Sequence, residues 1–227
     1  MTESKPAQRS ALLVGTTGLI GRALLRLLLH SERYALIVAF VRRTTEGIAA
    51  DPKLRLQRVD FAHLPEPFPA VQDVYIALGT TIKAAGSEAA FRQVDFEHVV
   101  ATARAARAAG ATRLMVVSAL GADTASRIFY NRVKGEMQAA IVQLGYESVV
   151  IAQPSLLIGD RAALGQPVRA GEVWAARLLA PAMALIPRRI RPIRADAVAA
   201  ALLAAGLAAK PGVSFLSSAE MQAHARH

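Results

Sequence analysis

The stretch Ala11-Leu12-Leu13-Val14-Gly15-Thr16-Thr17-Gly18-Leu19-Ile20-Gly21-Arg22 reads as a short apolar strand, a glycine loop and the first turn of a helix. Sterics give each glycine a place: Gly15 suits the tight turn leaving the strand, Gly18 lets backbone N–H groups approach a pyrophosphate, and Gly21 lets the helix pack close to the sheet. The helix N-terminus adds the positive end of its dipole. The stretch predicts a dinucleotide-binding loop with candidate contacts at Gly15, Thr16, Thr17, Gly18, Leu19, Ile20 and Gly21. A ligand-free Gly-rich turn is the bland alternative, so the rest of the chain has to decide.

Outward from the loop, Tyr34–Val41 is an apolar, β-rich run ending in Arg42-Arg43, and Lys53–Phe61 alternates like a third strand. Pro65, Pro67 and Pro69 mark a loop, and Asp73–Leu78 predicts a fourth strand closing on Gly79. Ser87–Ala109 has helical periodicity, with Ser87 as cap and Gly110 as stop, and Arg113–Ser118 is a fifth strand. A second long helix over about Ala125–Leu144 precedes a sixth strand, Ser148–Gln153. This alternation predicts an α/β fold: a doubly wound, Rossmann-type parallel sheet with helices on both faces and ligands at the C-terminal strand ends. Val168–Leu185 and Ala195–Ala209 read as helices, and Val213–Leu216 as a last short strand. Residues 1–10 are a polar, flexible N-terminus, residues 11–227 one NAD(P)-binding domain, and about 155–195 a small substrate cap.

The chain has 227 residues, 53% of them apolar, enough for one core beneath helices on both faces. It has no cysteine, which excludes disulfides, thiolate metal sites and Cys nucleophiles. The five histidines are scattered without metal-ligand spacing, so no metal site is expected. No apolar leader or membrane span is readable, and the cytoplasm is the simplest expected location. The net charge of +10 comes from dispersed arginines, dense only over Arg188–Arg194, with no interleaved aromatics. That disfavours nucleic acid as the main partner and points to a solvated face or to steering of an anionic cofactor or substrate. A homodimer is compatible with the sequence.

Chemistry concentrates in Tyr130-Asn131-Arg132-Val133-Lys134, where a spacing of four puts Tyr130 and Lys134 on one helix face. An ammonium beside a phenol favours the phenolate, which suits acid/base exchange with a carbonyl or alcohol. Ser118, at the end of the fifth strand, is the candidate to orient the substrate oxygen; the competing reading is a strand-terminal serine satisfying local groups. The Arg42-Arg43 pair ends the second strand where NAD binders carry a carboxylate, so it predicts a 2′-phosphate and hence NADP(H). Asp60, after the third strand, is placed either to contact the adenine edge or to cap a turn.

These residues together resemble the Tat-interacting oxidoreductase family of atypical short-chain dehydrogenases. The resemblance rests on the G-x-x-G-x-x-G spacing, Leu78-Gly79-Thr80-Thr81, Arg42-Arg43, Ser118 followed by Gly121-Ala122-Asp123, and Tyr130-x-x-x-Lys134-Gly135-Glu136. It covers about Ala11 to Ala209. It implies bound NADP(H), Tyr130 as proton donor or acceptor and Lys134 on the nicotinamide ribose. It also implies Thr17 in the phosphate loop, Leu78 and Gly79 lining the cofactor, Leu157 in a nicotinamide-side loop, and Arg169 in an Arg-x-Gly-Glu turn. One departure stands out: the family's fifth strand often ends in two serines, and this chain has Ser118-Ala119.

The first functional expectation is therefore NADP(H)-dependent hydride transfer to or from a small carbonyl or alcohol. The second is a non-catalytic NADP(H)-sensing protein, which the missing second serine favours. A nucleotide-sugar epimerase ranks below both, because the chain lacks an acid for NAD and the length for a sugar-nucleotide domain.

Overall fold

The central strands carry apolar side chains on both faces, so they need cover above and below, and the chain supplies it with alternating helices. The computed structural model describes residues 8–42, 48–158, 187 and 189–224. Seven strands form one all-parallel sheet: β1 (Arg9–Val14), β2 (Tyr34–Val41), β3 (Leu54–Arg58), β4 (Asp73–Ile76), β5 (Arg113–Val117), β6 (Ser148–Gln153) and β9 (Gly212–Ser217). Their order is β3-β2-β1-β4-β5-β6-β9. Two short strands, β7 (Leu157–Ile158) and β8 (Ile193–Arg194), pair in parallel apart from it.

The helices are α1 (Leu19–His30), α2 (Ile82–Ala85), α3 (Glu88–Arg92), α4 (His98–Ala108), α5 (Phe129–Val142), α6 (Ala195–Ala208) and α7 (Ser218–Ala223). A π-helical turn, Gln93–Glu97, joins α3 to α4. Strand residues divide between two cores with a period of two, as pleating requires. Ala11, Leu13, Met115, Val117, Val150 and Ala152 pack with α1 and α6. Their neighbours Leu12, Val14, Leu114, Val116, Val149 and Ile151 pack with α4 and α5. Strand order reverses between β1 and β4, so the glycine loop leaves β1 at the crevice where open parallel sheets bind ligands.

The N-terminal edge of the sheet is fastened by a buried polar network. Tyr34 donates to Asp73 Oδ2 at 2.6 Å and shares a 2.9 Å hydroxyl contact with Tyr75. Arg113 and Arg9 both pair with the fully buried Asp73. Burial, first, and then the Asp73 charge push the Tyr34 phenol well up; burial likewise raises Tyr75.

Several boundaries differ from the sequence expectation for local reasons. Ser87 does cap α3, accepting from Ala90 N–H at 3.1 Å, but the predicted single helix passes through the π-turn. The fifth helix starts at Phe129 rather than about Ala125, because Asp123 accepts from Ala125 N–H and Ser126 from Ile128 N–H, holding turns. The third strand stops at Arg58, before the turn made by Asp60. Elements α2, α7, β7 and β8 were not expected. The predicted helix over Val168–Leu185 lies outside the described residues, with most of the predicted cap.

Candidate functional site

The glycine loop gives its three glycines different reasons to exist. Gly15 has φ +94°, and a Cβ there would stand 2.5 Å from the Ala77 carbonyl oxygen, so only glycine lets β1 turn beside the end of β4. A Cβ on Gly21 would lie 1.9 Å from the Gly15 oxygen, so the first turn of α1 packs directly on the loop. Gly18 differs: its φ is −81°, and a Cβ would meet the Gly15 oxygen at an ordinary 3.5 Å. Packing within the protein therefore does not demand a glycine at 18, whereas a ligand approaching the backbone would. Gly18, the residue before α1, has no side chain to cap it, which suits a ligand at the helix's first N–H groups. Thr16 is buried, Thr17 is exposed, and Leu19 and Ile20 open the helix. This cradle fits a pyrophosphate.

Around the cradle, Arg42 is exposed just past β2, and among the described residues no carboxylate pairs with it; Arg43 lies outside the described residues. Asp60 is exposed, with Oδ1 accepting from Ala62 N–H at 3.0 Å and Oδ2 3.1 Å from His63 Nδ1. The Ala62 bond, first, and then His63 hold its carboxyl below the usual range. Its side chain is thus engaged in the turn. Beside it Phe61 stacks on His98 of α4 at 5.5 Å. Leu78 and Gly79 leave β4 next to the loop, and Leu157 sits half-buried on β7. Arg169 lies outside the described residues.

Helix α5 presents Tyr130, Lys134 and Gln138 at successive spacings of four, one face pointing at the sheet's carboxyl edge. Tyr130 is half-buried, its ring centroid 5.2 Å from that of Phe91. Lys134 is buried, its Nζ 2.7 Å from Asp95 Oδ1 in the π-turn. Asp95 Oδ2 also accepts from Thr80 N–H at 2.8 Å. Ser118 is buried and does not stand alone: Gln138 Nε2 donates to its Oγ at 2.6 Å, and Gln153 donates to Gln138 Oε1 at 3.3 Å. The structure thus brings Lys134 and Gly79 together and ties Ser118 to Gln138.

Two more positions of the Tyr130–Glu136 run have local explanations. A Cβ on Gly135 would lie 2.3 Å from the Asp123 carbonyl carbon, so glycine lets the loop before α5 rest on the helix. Glu136 pairs with Arg92, tying α5 to α3.

Asp95 and Gln138 were missed from sequence, though a signal exists for Asp95. It falls on the apolar stripe Phe91–Asp95–Val99, where a carboxylate needs a buried partner.

A family model described as NAD(P)H-binding matches residues 15–153, which span β1's end through β6. The chain belongs to this NAD(P)H-binding family. Rat HTATIP2 is 33% identical over 177 residues, covering 76% of the chain and 71% of that protein. Protein FMP52, mitochondrial, of Eremothecium gossypii is 35% identical over 153 residues, covering 67% of the chain and 68% of that protein. The resemblance to the Tat-interacting oxidoreductases stands on these relatives. Among solved structures, MoeE5 in complex with UDP-glucose and NAD superposes with TM-score 0.69 at 16% identity, over 91% of the chain and 75% of MoeE5. WbmG of Bordetella bronchiseptica in complex with NAD gives 0.68 at 15% identity, over 95% and 74%. These neighbours share the family's fold.

The same comparison corrects the expected location. FMP52 of E. gossypii, Candida albicans and Debaryomyces hansenii is named mitochondrial, which points away from a purely cytoplasmic protein. The sequence argument failed because it looked for apolar runs, whereas organellar targeting segments are basic and amphipathic and carry none.

Proposed function

We propose that this NAD(P)H-binding protein is an NADP(H)-dependent oxidoreductase acting on a small carbonyl or alcohol. In this reading residues 11–227 form one domain, the loop Gly15–Gly21 holds the pyrophosphate, Arg42 and Arg43 hold a 2′-phosphate, and about 155–195 cover the substrate. The carrying observation is the Tyr130/Lys134 pair: one turn apart on α5, with Lys134 held under Gly79 at the carboxyl edge of the sheet. A bound nicotinamide supplies or accepts the hydride. Tyr130 gives a proton from its phenol oxygen to the carbonyl oxygen as the hydride arrives, or takes it from the alcohol in reverse. Lys134, one turn along α5 from Tyr130, donates hydrogen bonds to ribose hydroxyls. Phe91 fixes the plane of the Tyr130 ring.

Tyr130→Phe keeps the ring and removes the proton, so turnover on a carbonyl panel should fall by about 10²–10⁴-fold while NADPH affinity is retained. Unchanged turnover defeats the mechanism. Arg42→Asp should lower the preference for NADPH over NADH by at least about tenfold, through loss of charge-assisted bonds to the 2′-phosphate. A second reading, NADP(H) sensing without turnover, draws on one observation: Ser118 Oγ is occupied by Gln138, and the next residue is Ala119. Cofactor-dependent partner capture with no turnover on any carbonyl would favour it.

A further inference from the structure

A buried ammonium needs a counter-charge, and the one given to Lys134 is a full carboxylate rather than a neutral amide. The Lys134 and Asp95 side chains are 3% and 1% exposed, with Nζ and Oδ1 2.7 Å apart. Asp95 is fixed a second time by Thr80 N–H. The neighbouring charges on these helices, Arg92 and Glu136, close on each other. Between the Lys134–Asp95 pair and the open carboxyl edge stands Gly79, an exposed residue without a side chain. A Cβ there would lie 3.4 Å from Asp95 Oδ1 and 3.9 Å from Lys134 Nζ. The site thus carries a compensated pair of charges one glycine away from its ligand side.

We propose that Asp95 sets the preference of this site between oxidised and reduced nicotinamide nucleotide. The inference rests on the reading above, in which the nicotinamide end lies at Lys134. The oxidised ring carries a positive charge that the reduced ring lacks. An uncompensated Lys134 repels the oxidised form alone, and Asp95 cancels that repulsion. An uncompensated unit charge inside the site, at an effective dielectric of about 20, changes a binding constant on the order of tenfold or more. Asp95 thereby decides whether the protein holds both redox states alike or favours the reduced one.

The test is isothermal titration of NADP⁺ and NADPH, and of NAD⁺ and NADH, into four full-length chains: wild type, Asp95→Asn, Lys134→Met and the double variant. The readout is the ratio of oxidised to reduced dissociation constants. Asp95→Asn should raise it about tenfold, Lys134→Met should move it the opposite way, and the double variant should return it to within about threefold of wild type. Damage to the fold lowers both affinities and leaves the ratio alone. Both affinities falling at constant ratio, or both single variants shifting it in one direction, overturns this proposal and leaves the Lys134 reading standing. Both affinities unchanged in both single variants shows that the nicotinamide lies elsewhere, and the underlying reading falls too; a wild type that binds neither form overturns both. If Asp95→Asn alone fails to fold, Lys134→Met against the double variant still isolates the Asp95 charge.

Discussion

Gly18 and Gly21 sit three residues apart in one loop, yet the structure assigns opposite costs to replacing them with alanine. A Gly21 methyl would overlap the Gly15 carbonyl at 1.9 Å, with Thr16 Cα also at 3.0 Å. Loop backbone cannot step aside as a side-chain tip can. Overpacking of this kind costs about 1–3 kcal/mol or more, and alanine's better helix propensity returns at most about 1. The net loss of about 2 kcal/mol corresponds to a fall in Tm of about 4–8 °C at this chain length. The Gly18 methyl meets nothing closer than 3.5 Å, and φ −81° suits alanine. Lower unfolded-state entropy, about 0.4–1 kcal/mol, offsets a slightly poorer N-cap, so Tm should hold within about 2 °C. With the pyrophosphate placed as proposed above, the ranking reverses, because a Gly18 methyl would stand where the ligand approaches the backbone. NADPH titration on folded Gly18→Ala should show at least about tenfold weaker binding, the scale of one or two lost hydrogen bonds to a charged group. Wild-type affinity in Gly18→Ala, or equal Tm losses in the two variants, refutes the reasoning.

Asp73→Ala removes the anion shared by Arg9, Arg113 and Tyr34 at the far edge of the sheet, and should cost about 3–5 kcal/mol in urea unfolding, with NADPH affinity per folded molecule unchanged. Gly135→Ala should move the loop that rests on α5, since its Cβ meets Asp123 backbone at 2.3 Å; turnover should fall more steeply than Tm, as kinetics beside a melting curve would show. Burial holds the His98 imidazole below its ordinary value of 6.5. The folded chain therefore binds fewer protons there than the unfolded chain, and the stability tied to His98 is present above pH 6.5 and lost as pH falls through the lowered folded value. Tm should drop less between about pH 7.5 and pH 5.5 in His98→Gln than in wild type, and equal pH slopes would count against it.

The central sheet was legible because parallel strands buried on both faces write continuous apolar runs, and Tyr34–Val41 is β2 to the residue; Val213–Leu216 also falls inside β9, an edge strand with Val213 and Phe215 exposed. Helix starts were less so, since Asp123 and Ser126 trade helical bonds for side-chain turns, a choice that periodicity does not record. The π-turn left no mark in composition, because one inserted residue shifts hydrogen bonds without changing residue types. It is what seats Asp95 against Lys134, so the apolar stripe marked Asp95 as needing a buried partner without saying which one. Ser118 shows the same: its place at the strand end was readable, its partner Gln138, twenty residues on, was not.

In an all-parallel sheet every strand begins at one edge and ends at the other, so stability and chemistry can be divided by strand direction. Arg9, Tyr34, Asp73 and Arg113 lie at or near the starts of β1, β2, β4 and β5 and interlock there. Gly15, Arg42, Leu78 and Ser118 follow the ends of the same four strands. At the first edge the buried Asp73 carboxylate is met by Arg9, Arg113 and Tyr34. The second keeps a helix that starts after a glycine, an arginine without a described carboxylate partner, and a buried ion pair beside the exposed Gly79. Polar groups facing outward at one edge, beside the Asp73 network at the other, suit a binding site at the carboxyl ends of the strands. Substitutions at the starts of the strands should therefore read out in unfolding, and those just past their ends in affinity.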